Sequence, residues 1–307
     1  MSWKARLKEK AILVADGAWG TELAEHGLEP GEPPELWNAD RPEAVEAVAR
    51  GYVEAGADII LTNTFGGSRW KLEKAGLADR TAELNRLGAE LSRRAAGDQA
   101  LVFASVGPTG EFLAPLGERS AEEFVACFAE QTAALAEGGA DGIVVETMAD
   151  LGEARAALEA ARQTCDLPAV VSMTFAHGPA GFATMMGVKP EQAAAELDAA
   201  GADMVGANCG SGIDHMIEVA RLMRPRTARP LWIKSNAGVP ELVDGRTVFR
   251  ETPEAMAAKV EPLVEAGANV VGGCCGTTPE HIRQLVAAVD RARALARSAG
   301  ARVLEAL

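Results

Sequence analysis

The chain has 307 residues, of which 44 are acidic and 30 basic, so its net charge is −14, and 48% of its residues are hydrophobic. This composition supports a sizeable core and excludes wholesale disorder, and the length suits one large domain or two smaller ones. Lysine and arginine are outnumbered by acidic residues, which argues against nucleic acid and anionic membranes as partners. A small neutral or zwitterionic substrate is favoured instead. No run approaches the ~20 apolar residues that span a bilayer, and the first residues do not form a signal peptide, so we expect a cytoplasmic protein.

One phrase recurs four times along the chain. In each copy a helical stretch ends in Gly-Ala-Asp or Gly-Ala-Asn and leads into a β-branched apolar run, at 54–63, 137–146, 199–208 and 265–274. Glycine supplies the left-handed conformation that ends a helix, and the apolar run is typical of a buried parallel strand. The repetition therefore predicts a series of helix–strand modules.

Further apolar runs lie between the repeats, at 11–16, 101–107, 168–175 and 230–236. Interleaving the two sets gives eight predicted strands separated by stretches rich in Ala, Glu and Leu with helical spacing. This pattern predicts a single-domain (β/α)8 TIM barrel over residues 1–297 with a short C-terminal tail over 298–307. An open parallel sheet with a second domain is the alternative.

Polar residues follow the predicted strands at the end where a barrel enzyme builds its active site. Asp16 follows the first strand, Glu146 the fourth and Asn236 the seventh, and three of the five cysteines follow the sixth and eighth, namely Cys209, Cys274 and Cys275. Strands six and eight are separated by one strand, roughly 10 Å in all. Two inward thiolates that each bind a metal at ~2.3 Å can close most of that gap.

Three cysteine thiolates favour zinc and leave a fourth ligand position open, as in a catalytic site. Such a centre is a poor Lewis acid but a good host for a further thiol, which it holds as a nucleophilic thiolate. The pattern thus predicts a zinc-dependent enzyme that alkylates a thiol. Buried structural cysteines or a vicinal disulfide are the alternative, and Cys127 and Cys165 are expected to be packing residues.

The motifs resemble those of one known family. ADGAWGTEL (15–23), LTNTFGGSRWKLE (61–73), GANCG (206–210) and GGCCGTTPEHI (272–282) are similar to the homocysteine S-methyltransferases. That family includes betaine-homocysteine methyltransferases, S-methylmethionine-dependent enzymes and the homocysteine-binding module of cobalamin-dependent methionine synthase. The resemblance covers residues 11 to 290, and it implies zinc held by Cys209, Cys274 and Cys275.

The resemblance also implies how homocysteine would bind. Its sulfur would bind the zinc, and its amino acid end would lie near Asp16, Gly17 and Glu146, with Glu146 pairing with the α-ammonium group and backbone N–H groups taking the carboxylate. Asn236 would be a zinc neighbour that gives way to substrate. As alternatives, Asp16 and Asn236 are turn residues and Glu146 forms a structural salt bridge.

The methyl donor is a separate question. A quaternary ammonium donor favours aromatic side chains around it, and Trp19, Trp37 and Phe65 are candidates, although each alone could be a packing residue. We therefore favour betaine. The alternatives are S-methylmethionine, or a stand-alone homocysteine module of a split cobalamin-dependent methionine synthase that uses a separate corrinoid protein. A non-catalytic zinc module, a metal-free lyase or isomerase, and a homo-oligomer also stay open.

Overall fold

Each predicted apolar run coincides with a strand in the computed structural model, which describes residues 2–243 and 246–298. The strands are β1 (Leu13–Val14), β2 (Ile59–Ile60), β3 (Leu101–Val106), β4 (Gly142–Met148), β5 (Ala169–Met173), β6 (Met204–Cys209), β7 (Leu231–Ser235) and β8 (Ala268–Gly273). All are parallel and each pairs with the next along the chain, with β8 returning to β1. A bridge between Ala15 and Ile59 joins β1 to β2 and closes the barrel. The predicted (β/α)8 barrel is confirmed and the open-sheet alternative is wrong.

Helices surround the barrel, in some connections divided into short pieces. They are α1 (Trp3–Lys10), α2 (Gly20–Glu25), α3 (Trp37–Asp40), α4 (Pro42–Glu54), α5 (Arg69–Glu73), α6 (Thr81–Ala96), α7 (Ala121–Glu137), α8 (Leu151–Thr164), α9 (Pro190–Ala199), α10 (Ile213–Met223), α11 (Pro253–Ala257), α12 (Val260–Glu265) and α13 (Pro279–Ser298). Three 3-10 turns cover Pro34–Leu36, Ala78–Arg80 and Arg224–Arg226, and two hairpins pair Ala176–Gly178 with Gly181–Ala183 and Glu241–Val243 with Arg246–Val248. Of the predicted tail, only Ser298 is described, as the last residue of α13, so the domain boundary stays a prediction.

The recurring Gly-Ala-Asp/Asn phrase performs the same two tasks at each copy. Its glycine has a positive φ in all four, between 88° and 105°, and ends the helix as predicted, at Gly56, Gly139, Gly201 and Gly267. Its Asp or Asn side chain then accepts a hydrogen bond, at 2.8–3.0 Å, from a backbone N–H near the start of the preceding strand. The acceptor and donor residues are Asp58 and Val14, Asp141 and Val102, Asp203 and Ala169, and Asn269 and Leu231. Each even-numbered strand is thereby joined to its odd-numbered neighbour at the amino-terminal end of the barrel.

Apolar side chains fill the barrel interior towards its amino-terminal end, so the interior is a packed core and not a pore. Phe103 and Trp232 stack inside it with ring centroids 6.0 Å apart and an interplanar angle of 5°. Helix α1 packs Trp3 and Leu7 onto the same cluster, and its Arg6 donates to the carbonyl of Gln99, just before β3, at 2.8 Å. Because α1 covers the amino-terminal end, the carboxyl-terminal end is left for a site. Among the described residues, no helix has both the length and the apolar character needed to cross a membrane.

Candidate active site

The structure brings the three predicted metal ligands together at the carboxyl-terminal end of the barrel. Cys209 is the last residue of β6, and Cys274 and Cys275 directly follow β8. The sulfur atoms of Cys209 and Cys274 are 3.3 Å apart, and all three sulfurs lie within 4.8 Å of one another. Cys127, on α7, and Cys165, after α8, lie outside this cluster.

Left-handed backbone at both cysteine segments makes this convergence possible. Cys209 itself has a φ of 68° and Gly210, which follows it, has the same value. Gly276, after the vicinal pair, has a φ of 78°. The backbone N–H of Cys274 continues the β7–β8 ladder by donating to the carbonyl of Ser235 at 2.7 Å. A left-handed φ in a residue with a side chain is uncommon and concentrates at functional sites.

Asn208 is a buried neighbour of the sulfurs that the sequence analysis did not select. Its side-chain carbonyl accepts from the backbone N–H of Thr147 and from the Ser172 hydroxyl, both at 2.8 Å. Its amide group donates to the Thr147 hydroxyl at 2.7 Å and faces the sulfurs of Cys209 and Cys274 at 3.7 and 3.8 Å. The other N–H of this fixed amide faces the sulfurs of Cys209 and Cys274, where it stabilises negative charge.

Interactions among the three thiols shift the pKa values of Cys209 and Cys275 in opposite directions. Either thiol of the Cys209–Cys274 pair can donate to the other. Hydrogen bonding with Cys274 and Cys275, followed by burial, raises the pKa of Cys209 well above its usual range. The pKa of Cys275 is lowered to about 3 because the thiols of Cys209 and Cys274 both stabilise its thiolate. A soft divalent metal ion replaces such shared protons when it binds.

Asn236 lies against the same loop and offers an oxygen. Its backbone N–H donates to the carbonyl of Cys209 at 3.2 Å and its side-chain amide donates to the carbonyl of Gly210 at 2.8 Å. Its side-chain carbonyl oxygen is buried and has no hydrogen-bond partner in the part of the chain that the structure describes. The three clustered sulfurs fit a tetrahedral zinc site with one open position.

Glu146 reaches the mouth of the barrel through an irregularity in β4. The pairing of β4 with β5 shifts register between Val145 and Met148, and Thr147 has a φ of 62°. The Glu146 carboxylate accepts from the Ser105 hydroxyl at 2.5 Å and is only 7% exposed. Burial raises the pKa of Glu146 to about 7, and the neighbouring Lys234 ammonium partly offsets that rise.

Asp16 is fully buried, and both of its oxygens are occupied. One accepts from the Lys234 ammonium at 2.6 Å, and the other accepts from the backbone N–H of Leu61 at 2.7 Å and the indole N–H of Trp19 at 2.8 Å. Asp16 is not among the residues that line the cavity. In this geometry it is a positioning residue that fixes Lys234 and Trp19, and its predicted contact with substrate stays a prediction.

Lys234 is a second site residue that the sequence analysis did not select. It is 2% exposed and lines the cavity. Burial alone would lower the pKa of Lys234, but Asp16 and Glu146 outweigh it and the pKa is raised, so the ammonium stays charged. The mouth therefore holds a buried cation between two buried carboxylates.

A cavity of about 540 Å³ that is partly open to solvent lies above the cysteines. Of the predicted site residues, it is lined by Gly17, Trp19, Phe65, Glu146, Cys209, Cys274 and Cys275. Trp37 does not line it: the indole N–H donates to Glu32 at 2.8 Å and the Arg41 guanidinium lies 4.1 Å from the ring centroid. Asn236 likewise lies outside the lining.

Tyr52, on α4, holds the loop after β1 in place. Its buried hydroxyl donates to the carbonyl of Ala18 at 2.5 Å, and a methyl group on Gly17 would meet that hydroxyl at 2.8 Å. Tyr52→Phe leaves the Ala18 carbonyl without this donor and is expected to lower the free energy of unfolding by about 1–2 kcal/mol. Urea unfolding of the two proteins checks this, and an unchanged midpoint with an unchanged slope would contradict it.

A closed barrel whose mouth combines a thiol cluster, buried charges and a cavity defines a (β/α)8 enzyme with a candidate soft-metal centre. Comparison with known proteins identifies its family. The family model for homocysteine S-methyltransferase matches residues 13–289. The chain belongs to the homocysteine S-methyltransferase family, whose members are methyltransferases that act on homocysteine.

Individual relatives agree with this assignment. The chain is 33% identical over 297 residues to the methionine synthase of Mycobacterium leprae and 34% identical over 295 residues to that of Mycobacterium tuberculosis. These matches cover 91% of the chain but only 24% of either relative, so the chain spans about a quarter of their length. It also superposes on the metallated form of the homocysteine methyltransferase MmuM from Escherichia coli, with a TM-score of 0.77, 26% identity, and coverage of 92% of this chain and 98% of that one.

Proposed function

We propose that this protein is a zinc-dependent homocysteine S-methyltransferase that forms methionine, with betaine as the methyl donor. The observation that carries the proposal is the cluster of three sulfurs within 4.8 Å of one another in a cavity that Glu146 and Lys234 also line. A soft metal site and two fixed opposite charges together match a thiol that carries an amino acid group.

Each part of homocysteine has a counterpart in the cavity. Cys209, Cys274 and Cys275 would hold zinc, which when bound lowers the pKa of an incoming thiol and keeps it as a nucleophilic thiolate. Glu146 pairs with the α-ammonium group, while Lys234 and the loop that contains Gly17 face the carboxylate. The amide of Asn208 stabilises negative charge on the sulfurs through its N–H groups.

The transfer itself is an in-line displacement. The homocysteine sulfur forms a bond to the donor methyl carbon as the carbon–nitrogen bond of betaine breaks, and the electron pair of that bond stays on nitrogen, leaving dimethylglycine. No proton moves in this step, so the residues of the chain act by orienting the two substrates and excluding water. Trp19 and Phe65 supply aromatic surface for the quaternary ammonium group.

A second candidate donor is a methyl-corrinoid protein. The observation that favours it is the 33% identity to methionine synthases of which this chain spans only 24%. In that case the chain would act as a stand-alone homocysteine module and the methyl group would arrive on a separate protein.

Methionine formation from homocysteine with a panel of donors tests the proposal. We expect product from betaine with the zinc-loaded protein, and loss of product after treatment with a chelator, restored by zinc. Product from S-methylmethionine, from methylcobalamin or from a methyl-corrinoid protein, but not from betaine, would show the donor assignment to be wrong. Homocysteine binding without product from any donor would favour a non-catalytic module.

A further inference from the structure

One wall of the cavity carries two charges that the proposed contacts with homocysteine do not use. Glu35 lies in the 3-10 turn before α3 and Lys71 lies on α5, and both line the cavity. α5 follows β2, and β2 lies across the eight-stranded barrel from β6, whose last residue is Cys209. Glu35 and Lys71 therefore line the same cavity as the thiol cluster, and α5 follows a strand on the side of the barrel opposite Cys209.

Glu35 is a buried carboxylate with no cation bound to it. It is 3% exposed, and one of its oxygens accepts from the backbone N–H of Gly66 at 2.6 Å. No lysine, arginine or histidine nitrogen lies within 4.0 Å of it among the described residues. Burial raises the pKa of Glu35, with backbone hydrogen bonds and the more distant Lys71 acting in the opposite direction. A ligand cation beside it would stabilise its ionised form.

Lys71 complements this carboxylate without pairing with it. Its ammonium lies 5.6 Å from the centroid of the Phe65 ring and within 4.0 Å of no carboxylate among the residues with described side chains. Trp19 lines the same cavity, and its indole N–H is fixed by Asp16. The wall thus presents an anion, a cation and aromatic surface, and the anion and the cation form no ion pair with each other.

We propose that Glu35 and Lys71 form the donor subsite and select a small zwitterionic onium compound, with Glu35 beside its positive centre and Lys71 beside its carboxylate. This inference rests on the proposed function and names the residues that recognise the donor class. A quaternary ammonium centre one methylene away from a carboxylate, as in betaine, bridges the two charges; the longer S-methylmethionine carries its sulfonium three carbons from its carboxylate and an α-ammonium group in addition. The onium methyl group then points across the cavity towards the thiol.

Calorimetric titration of the zinc-loaded protein without acceptor tests this subsite. The probes are betaine and 3,3-dimethylbutanoate, which has the same shape and carboxylate but carbon in place of the charged nitrogen. Glu35→Gln keeps an oxygen for the Gly66 N–H and removes the charge, so we expect betaine to bind about tenfold more weakly and the isostere to bind unchanged. Lys71→Met is expected to weaken both ligands by a similar factor because both carry the carboxylate.

The outcomes separate this inference from the proposed function. Equal losses for betaine and its isostere in Glu35→Gln, or no loss for either in Lys71→Met, would overturn the subsite. If betaine does not bind but S-methylmethionine does, and Glu35→Gln weakens it about tenfold, the subsite is supported with a sulfonium donor. If neither donor binds while homocysteine does, the subsite is wrong and the acceptor proposal stands. If homocysteine itself fails to bind, the proposed function is wrong. Thermal unfolding of both variants shows whether the fold is intact.

Discussion

Under the proposed function, Cys209→Ser is expected neither to bind zinc nor to transfer a methyl group. A serine hydroxyl is not deprotonated at neutral pH and is a poor zinc ligand, so the substitution leaves two of the three sulfurs that lie within 4.8 Å of one another. Without the metal the acceptor thiol stays largely protonated and is not positioned. We expect activity to fall on the order of 1,000-fold or more, about 4 kcal/mol in transition-state stabilisation.

Cys165→Ser is the matched control for this experiment. Cys165 follows α8 and its thiol donates to the carbonyl of Ala161 at 3.3 Å, a contact that a serine hydroxyl can keep. Metal analysis and initial rates should show one zinc per chain and full activity in the control, and neither in Cys209→Ser. Full activity of Cys209→Ser without zinc would indicate structural cysteines in a metal-free lyase or isomerase.

The fold could be predicted because its signals are local and repeated. Each Gly-Ala-Asp/Asn phrase contains its own helix end and strand start, so four copies indicate four modules without any knowledge of tertiary contacts. The two hairpins, by contrast, lie in loops at the carboxyl-terminal end and have strands of only three residues, such as Glu241–Val243, which are too short to show an alternation of apolar residues. The length of β1 and β2 was also beyond prediction, because pairing with neighbouring strands limits both to two residues.

The cysteine cluster could be predicted from the sequence, whereas the charges around it could not. Glycines beside Cys209 and Cys274 mark turns that bring side chains to one point, which is a local signal. Asn208 precedes Cys209 directly, yet its part in the site depends on Thr147 and Ser172 from other strands. Glu35 follows no strand, so its burial against Gly66 depends wholly on tertiary structure.

Asp16 also shows that tertiary contacts of a charged residue could not be predicted from the sequence. The family resemblance implied a contact with substrate, but the structure occupies both oxygens with Lys234, Leu61 and Trp19. Since Asp16 binds the Lys234 ammonium at 2.6 Å, we expect it to act on substrate through that cation. Of Asp16 and Glu146, Glu146 is then the carboxylate that is left to meet a substrate ammonium group near the thiols.

Glu146→Gln is therefore expected to weaken homocysteine binding strongly. The glutamine can still accept the hydrogen bond from Ser105 but cannot neutralise a buried ammonium group, and losing one partner of such a pair costs about 2–4 kcal/mol, roughly 30- to 1,000-fold in affinity. Calorimetry at pH 8 with zinc-loaded protein measures this loss. Glu153→Gln is the control, because Glu153 is also buried but binds Thr109 outside the cavity; a similar loss in the control would assign the effect to stability.

The pH dependence of homocysteine binding, compared between wild type and Glu146→Gln, tests whether Glu146 binds as an ionised carboxylate. Burial raises the pKa of Glu146 to about 7, so it is mostly neutral at pH 6 and ionised at pH 8. The ammonium group needs the ionised form, and the advantage of the wild type over Glu146→Gln should therefore shrink about tenfold between pH 8 and pH 6. Release of the homocysteine thiol proton affects both proteins alike and cancels in this ratio. A ratio that stays constant over this range would show that Glu146 does not bind the ammonium group as a carboxylate, even if the variant binds weakly.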